Sequence, residues 1–363
     1  MEGSRWPRVT EEPDGVLTLE IGDGVTGCVL RDLARGFAPP PFSVRALRPL
    51  PPVPPGERPI TVDQTNQSVI AGDTVVVKWF PRPSRAPHPA PGLLAHLAGF
   101  GRMATPYAAV YWEDALVALV TAYLPEARDG WEWCVDEAEA GRTGFAAEVG
   151  ALAAELHLAM ATPSAVFPDP VRLSPPGGEG AWRTRAEEAL REALALTDGA
   201  DGAWLAGRAE ALRRELEPLA RVPATPLIRV HGDLHVGQIL RWRDGYAVVD
   251  FDGNPTVADA DPYQPAARDL AQLTTSVDHA GQVAVRRRSA DPDATAAWAD
   301  AARRDLTAAY TRTLARAGRA DLLDRSLLRP FEVEQECREL IYAARHLPRW
   351  RYAPMGVLRT WYA

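Results

Sequence analysis

Asp233, Gln238 and Asp250 are three oxygen-bearing side chains within eighteen positions, in the stretch RVHGDLHVGQILRWRDGYAVVDFDGNP of residues 229–255. A carboxylate at the mouth of a loop can accept the proton of a hydroxyl. A second carboxylate and an amide oxygen close by suit a hard divalent ion. Lys78 adds a fourth chemical element, because it is the only lysine in a chain otherwise supplied with arginine. Arginine enrichment alone can follow from GC-rich coding. A lysine that persists marks a place where a compact ammonium works and a planar guanidinium does not, such as a phosphate pocket.

The elements that must position these groups follow from periodicity. Residues 228–230, 239–242 and 246–249 are short apolar runs bounded by Gly and Asp, which predicts small buried strands. Asp233 and Asp250 then sit at the exits of neighbouring strands, with Gln238 on the loop between them. Residues 60–69 and 74–80 predict a hairpin turning at 71–73, with Lys78 near the end of its second strand. Gln64, Thr65, Asn66, Gln67 and Ser68 lie ahead of it, and small polar residues there leave backbone N–H groups free for phosphate oxygens.

HGDxHxGQ followed by DFDG resembles the aminoglycoside-phosphotransferase branch of the protein-kinase-like fold. It is more similar to the actinobacterial maltokinases and glucosamine kinases, which share Gln238 and His235. The resemblance runs from about residue 60 to the C-terminus. It implies an α+β, bilobal protein-kinase-like (aminoglycoside phosphotransferase-like) fold with a small β-rich N-terminal cap. Residues 1–58 would be the cap and a proline linker, 59–125 the N-lobe, and 126–363 a mainly helical C-lobe.

The implied reaction is ATP-dependent phosphorylation of a sugar. Asp233 would be the catalytic base, with Gln238 and Asp250 holding Mg²⁺ and Lys78 neutralising the phosphates. Asn66, Gln67 and Ser68 would cover the phosphates, and Thr121, Ala122, Tyr123 and Leu124 would line the adenine site. Asp233, His235, Asp252, Glu336, Glu339 and Trp350 would meet the sugar; the three acids Glu332, Glu336 and Glu339 share a helix face at i, i+4, i+7. Trp131 in the DGW segment is expected to be a packing anchor. His157 is expected to be a core histidine, and Asp269 of the Arg268–Asp269 pair a structural acid.

Two departures matter. No Asp or Glu lies between Ser84 and Trp112, so the usual helical partner of the nucleotide lysine is missing and Asp250 is its expected replacement. DFDGNP stands where maltokinases carry DFEGEP, which looks like the glucosamine kinases. Glucosamine, giving glucosamine 6-phosphate, is therefore the expected substrate. Maltose (to maltose 1-phosphate) comes next, then an aminoglycoside. A nucleotide-binding pseudokinase is the reading from another class, and the presence of Lys78, Asp233, Gln238 and Asp250 weighs against it.

Composition bounds the rest. The 363 residues are 46% hydrophobic and 24% charged, as in ordinary globular chains. A net charge of −8 argues against nucleic acid or an anionic membrane as partner. Three cysteines without metal spacing point to a cytoplasmic protein. Residues 1–47 read as β-rich, and the G-x-G-x-x-G-x-V match at 22–29 as a hairpin turn rather than a nucleotide loop. The tract at 48–59 reads as a stiff polyproline linker.

Overall fold

The computed structural model describes residues 6–61, 66–253 and 261–363. Gln64 and Thr65 of the expected phosphate loop, and Asn254 and Pro255 of DFDGNP, lie outside the described residues. The chain forms two compact units, Met1–Ala127 with Trp242–Asp244 and Val248–Asp252, and Arg128–Arg241 with Gly245–Ala247 and Gly253–Ala363.

The first unit is built on a six-stranded sheet. Its chain order is a two-stranded ribbon of β1 (Arg8–Glu11) and β2 (Leu17–Glu20), helix α1 (Val25–Ala34), β3 (Phe42–Ala46), β4 (Glu57–Pro59), β5 (Gln67–Ala71), β6 (Val75–Trp79), helix α2 (Ala90–His96), β7 (Pro106–Trp112) and β8 (Ala115–Ala122). The sheet order is β3-β7-β8-β6-β5-β4. Every pairing in it is antiparallel. In β6, Val75, Val77 and Trp79 are buried and alternate with half-buried Val76 and Lys78. This period of two turns Lys78 away from the face that carries Trp79. Each large apolar side chain so buried stabilises the unit by about 1.5–3 kcal/mol.

Residues 22–34 depart from expectation. They form no hairpin; α1 starts at Val25 and packs Val25, Val29 and Leu30 into the sheet core beside Val77 and Trp79. The glycines there precede a helix whose apolar stripe finds a tertiary partner, and tertiary burial outweighs local turn preference. β3 falls within the expected cap and β4 at the end of the expected linker, yet they are the two edge strands of the sheet. The proline tract is packed rather than spacing two bodies, because Leu50 and Val53 rest on the same core. Gly72 in the β5–β6 turn has φ 57°, and a Cβ there would lie 2.5 Å from the Pro54 carbonyl oxygen. Only glycine allows this approach.

The second unit is mainly helical. It contains α3 (Gly130–Glu139), α4 (Gly144–Met160), β9 (Val171–Leu173), α5 (Ala181–Leu196), α6 (Gly199–Leu216), β10 (Pro226–Arg229), β13 (Tyr263–Gln264), α7 (Ala267–Arg288), α8 (Pro292–Arg316), α9 (Leu328–Arg345) and α10 (Tyr352–Trp361). Between β10 and β13 the chain forms the two-stranded sheet of β11 (Ile239–Trp242) and β12 (Gly245–Val248). β10 is the central strand of a small sheet ordered β13-β10-β9, and the motif begins where that strand ends. α7 is buried along most of its 22 residues, and α3, α8 and α9 all pack on it.

Candidate active site

In the first unit the residues expected to meet the nucleotide include Lys78. Its ammonium lies 2.6 Å from Asp250 Oδ1 and 2.5 Å from Asp252 Oδ2. The acid missing from α2 is thus replaced by two acids of the DFDG turn. The turn is fixed by Val248, which bridges Met103 and donates its N–H to the Arg102 carbonyl (2.9 Å). Asp250 holds φ at 64°, a left-handed conformation that Asp tolerates better than most residues. Burial opposes the charge of Lys78, but Asp252 and Asp250 outweigh it and hold its pKa above the ordinary value. The Asp252 carboxyl is pushed up to about 6 by burial, with Asp250 beside it adding to the effect against Lys78.

Ser68 is the cross-strand partner of Lys78, and Gln67 that of Trp79. The Ser68 carbonyl accepts the Ile60 N–H, and Asn66 occupies the bend just before β5. At the expected adenine edge, Thr121 and Ala122 end β8. The N–H groups of Ala122 and Tyr123 donate to the carbonyls of Thr105 and Thr74, at 2.8 and 2.9 Å. Sequence reasoning passed over His88. Its Nδ1 accepts the Ala90 N–H, its ring lies 5.0 Å from Phe80, and burial together with the Lys78 charge lowers its pKa to about 4.

In the second unit the loop after β10 is held from behind. Buried Asp269, at the start of α7, accepts the N–H groups of His231 (2.7 Å) and Gly232 (3.0 Å). Its other contact is His157 Nε2 at 3.1 Å, and His157 Nδ1 meets the Tyr310 hydroxyl at 2.6 Å. Despite complete burial, the hydrogen bond and charge of His157 and the backbone donors keep the Asp269 carboxyl below its ordinary pKa. His231 Nδ1 accepts the Asp233 N–H, and Ser276 Oγ accepts that of Val236. α3 closes on the same loop. A Cβ at Gly130 would lie 1.6 Å from the Val236 carbonyl oxygen, so glycine is required at that helix start. Asp129 caps α3 by accepting the Trp131 N–H (2.8 Å).

These elements surround a cavity of about 530 Å³. Asp233, His235, Glu339 and Trp350 line it, as do Trp131 and Gln272. Gln272 Nε2 donates to Asp233 Oδ1 at 2.7 Å. His235 Nδ1 accepts the Gly237 N–H, which leaves Nε2 as its protonated nitrogen, 3.7 Å from Asp233 Oδ2. Trp131 stacks on His235 with centroids 5.5 Å apart and meets Trp350 edge-on at 5.8 Å. The Trp350 indole N–H and the Gln335 amide both donate to Glu339, at 2.8 and 3.0 Å. Gln238 closes the short turn Val236–Gln238 and donates its N–H to the His235 carbonyl (2.9 Å).

Two expected sugar contacts are placed otherwise. Glu336 is fully buried and does not line the cavity; its Oε2 bonds His279 Nε2 at 3.0 Å. Glu332 on the same face is bonded to Arg303 and Thr274. The i, i+4, i+7 acids share a face, but at Glu332 and Glu336 that face is packed against α7 and α8, and of the three only Glu339 lines the cavity. Asp252 belongs to the Lys78 cluster of the first unit. Trp131 does more than pack, since it lines the cavity. Sequence reasoning missed α7 as a cavity wall, to which Gln272, Thr275, Ser276, His279, Val283 and Arg287 all contribute. Polar residues at i, i+3, i+4 and i+7 on a buried helix were the available signal.

A family model described as "Phosphotransferase enzyme family" matches residues 56–302. A glucosamine kinase of Streptacidiphilus jiangxiensis is 42% identical over 383 residues, covering 97% of this chain and 85% of its own. One of Mycolicibacterium smegmatis is 40% identical over 322 residues, covering 84% of this chain and 79% of its own. A solved glucosamine kinase in complex with glucosamine, ADP and inorganic phosphate superposes with a TM-score of 0.83 at 38% identity, over 97% of this chain and 90% of that one. With an α+β kinase-like fold and likeness over nearly its whole length, the chain belongs to the phosphotransferase enzyme family, on its glucosamine-kinase branch.

Proposed function

We propose that the chain transfers the γ-phosphoryl group of ATP to a hydroxyl of glucosamine, giving glucosamine 6-phosphate. The observation that carries this is Asp233, a carboxylate on the wall of a cavity that also presents the acid Glu339 and two indoles. Gln272 Nε2 donates to Asp233 Oδ1 and so fixes the carboxylate on the cavity wall. Asp233 orients that hydroxyl and takes its proton as the new O–P bond forms, while the terminal phosphoryl group leaves ADP. Glu339 offers the sugar ammonium a charge-assisted partner, and Trp131 and Trp350 give the ring apolar faces to pack on.

Lys78 neutralises phosphate oxygens, exchanging one of its carboxylates for them. Gln67 and Ser68 lie on the strand beside it and Asn66 in the bend before that strand, and together they offer backbone to the phosphates. The Ala122 and Tyr123 N–H groups are bonded to protein, and among the described residues that of Leu124 is the one offered to adenine.

Asp250 and Asp252 bring carboxylate oxygens to within 2.6 Å of one ammonium nitrogen, so they can equally share one cation. Both are hard oxygen donors, which suits Mg²⁺; the family resemblance implies Gln238 as a further ligand. Bound there, the ion supplies charge neutralisation at the phosphate oxygens. Catalysis then rests on positioning and charge, as a loose phosphoryl-transfer transition state requires.

Among the described residues no helix is long and apolar enough to cross a membrane, and Cys28, Cys134 and Cys337 form no disulfide. The use of ATP as co-substrate supports a cytoplasmic reading. The test is ATP turnover over glucosamine, glucose, maltose and an aminoglycoside, with the product identified by phosphorus NMR. The expected result is the highest kcat/KM for glucosamine and a 6-phosphate product. Preference for maltose, or no transfer to any sugar, overturns the reading.

A further inference from the structure

The wall of the cavity formed by α7 carries His279, a residue the reaction as described does not use. Its side chain is 3% exposed. Nε2 is bonded to Glu336 Oε2 at 3.0 Å, and Glu336 lies entirely behind the wall. The ring meets Trp350 edge-on, with centroids 5.6 Å apart. Nδ1 bonds no protein atom among the described residues, yet it is not one of the buried unpartnered atoms. It therefore keeps accessible surface, and for a residue that lines the cavity this surface faces the cavity. A buried imidazole with one nitrogen tied to a carboxylate behind it and the other open to a binding cavity is an oriented hydrogen-bonding group. A histidine that merely fills the core would have both nitrogens satisfied by protein.

We infer that His279 is a substrate-binding residue, held by Glu336 so that its Nδ1–H donates to an oxygen of the sugar. The inference rests on the sugar-kinase reading above and adds a division of labour within the cavity. Burial works against the charge of His279, but Glu336, with Glu339 and Asp278 nearby, raises its pKa to about 9. Near neutral pH it is an imidazolium, with protons on both nitrogens. An imidazolium repels an ammonium and accepts nothing from it, so His279 cannot read the amine. It reads a hydroxyl or ring oxygen, and Glu339 remains the partner of the amine. Glu336 touches no substrate; it is a positioning residue that fixes the ring and its proton.

The experiment compares wild type with His279→Gln, Glu339→Gln and the double variant His279→Gln/Glu336→Gln. The double variant removes both charges together, so no buried carboxylate is left unpaired and the pair can still bond amide to amide. KM and kcat are measured for glucosamine and ATP, with glucose as a competitor for the sugar site.

Loss of a charged donor predicts that KM for glucosamine rises by about ten- to a hundredfold in both His279 variants. The inhibition constant of glucose should rise by a similar factor, because both sugars carry the oxygen read by His279. KM for ATP should stay within about threefold, since only uniform sugar binding is removed. Glu339→Gln should weaken glucosamine and leave glucose nearly unchanged. Unchanged sugar constants in a folded double variant overturn the role of His279. A loss confined to glucosamine overturns the division of labour. Failure of the wild type to phosphorylate glucosamine is a separate outcome that removes the sugar-kinase reading itself.

Discussion

The carboxylate of Asp233 is held by partners on three sides. Gln272 holds one oxygen, His231 takes the backbone N–H of Asp233, and Asp269 takes the two N–H groups just before it. The loop is thus fixed before any ligand arrives, so the position of the base requires no reordering. Replacing Asp233 by Asn keeps this frame but removes the proton acceptor. Turnover should fall by roughly 10²–10⁴-fold with ATP affinity within about threefold, read by steady-state rates and nucleotide titration. Retention of more than about a tenth of the turnover would move the base elsewhere. Lys78 is the second residue-scale case. Two carboxylates enclose a single nitrogen, a slot that fits an ammonium and crowds a planar fork. Lys78→Arg should lower kcat/KM for ATP by roughly tenfold or more although the charge is kept. Kinetics equal to wild type would show that the lone lysine is an accident of composition.

At the scale of elements, what could be read from the sequence depended on how the chemistry was distributed along the chain. The loop from His231 to Gln238 and the DFDG turn were legible because their groups are contiguous and bounded by Gly. α7 was not, since its cavity residues are spaced by three and four positions and look like an ordinary polar face. On α9, helical spacing identified the face carrying Glu332, Glu336 and Glu339 but not its neighbours; only Glu339 opens to the cavity. The packing of α7, α8 and α9 has a consequence for stability. Buried Asp278 faces Arg303, Glu332, Glu336 and His279, and burial, with the two glutamates, pushes its carboxyl from the ordinary 3.8 up to about 7. The folded protein therefore binds a proton that the unfolded chain releases, and stability falls as pH rises from about 4 to about 7. His279 shifts from 6.5 to about 9 against Glu336, Glu339 and Asp278, so its contribution is full below about 6.5 and lost as pH rises through about 9. Melting temperature should decline across both windows. Asp278→Asn should flatten the lower one and His279→Gln the upper one. A melting temperature that rises between pH 5 and 9 would contradict both assignments.

At the scale of the whole molecule, the resemblance located the reaction class and the α+β fold, and the first sixty residues are β-rich as expected, but the helix α1 and the place of β3 and β4 in the large sheet were not foreseen. Short strands such as β3 and β4 carry little signal of their own and exist because a sheet receives them, and α1 was hidden behind glycines that resemble a turn. The two units also divide the chemistry. Lys78, Asp250, Asp252 and residues 66–68 and 121–124 lie in the first, whereas Asp233, His235, Glu339, Trp350 and the lining of the cavity lie in the second. Each ligand should therefore leave its own imprint on amide hydrogen exchange, which reports local opening. Glucosamine alone should slow exchange at residues 231–238, 272–283 and 335–350, where its contacts rigidify the loop and the faces of α7 and α9. A non-hydrolysable ATP analogue with Mg²⁺ should slow exchange at 66–79 and 121–124. Protection linked to a ligand amounts to RT ln(1 + [L]/Kd), so at a hundredfold excess over Kd the imprint should reach about 2.7 kcal/mol wherever exchange requires release of the ligand. Should glucosamine alone protect residues 66–79 as strongly as 272–283, the assignment of the cavity to the sugar would be wrong. Should the nucleotide protect neither strand nor adenine segment, the role given to Lys78 and its neighbours would fail.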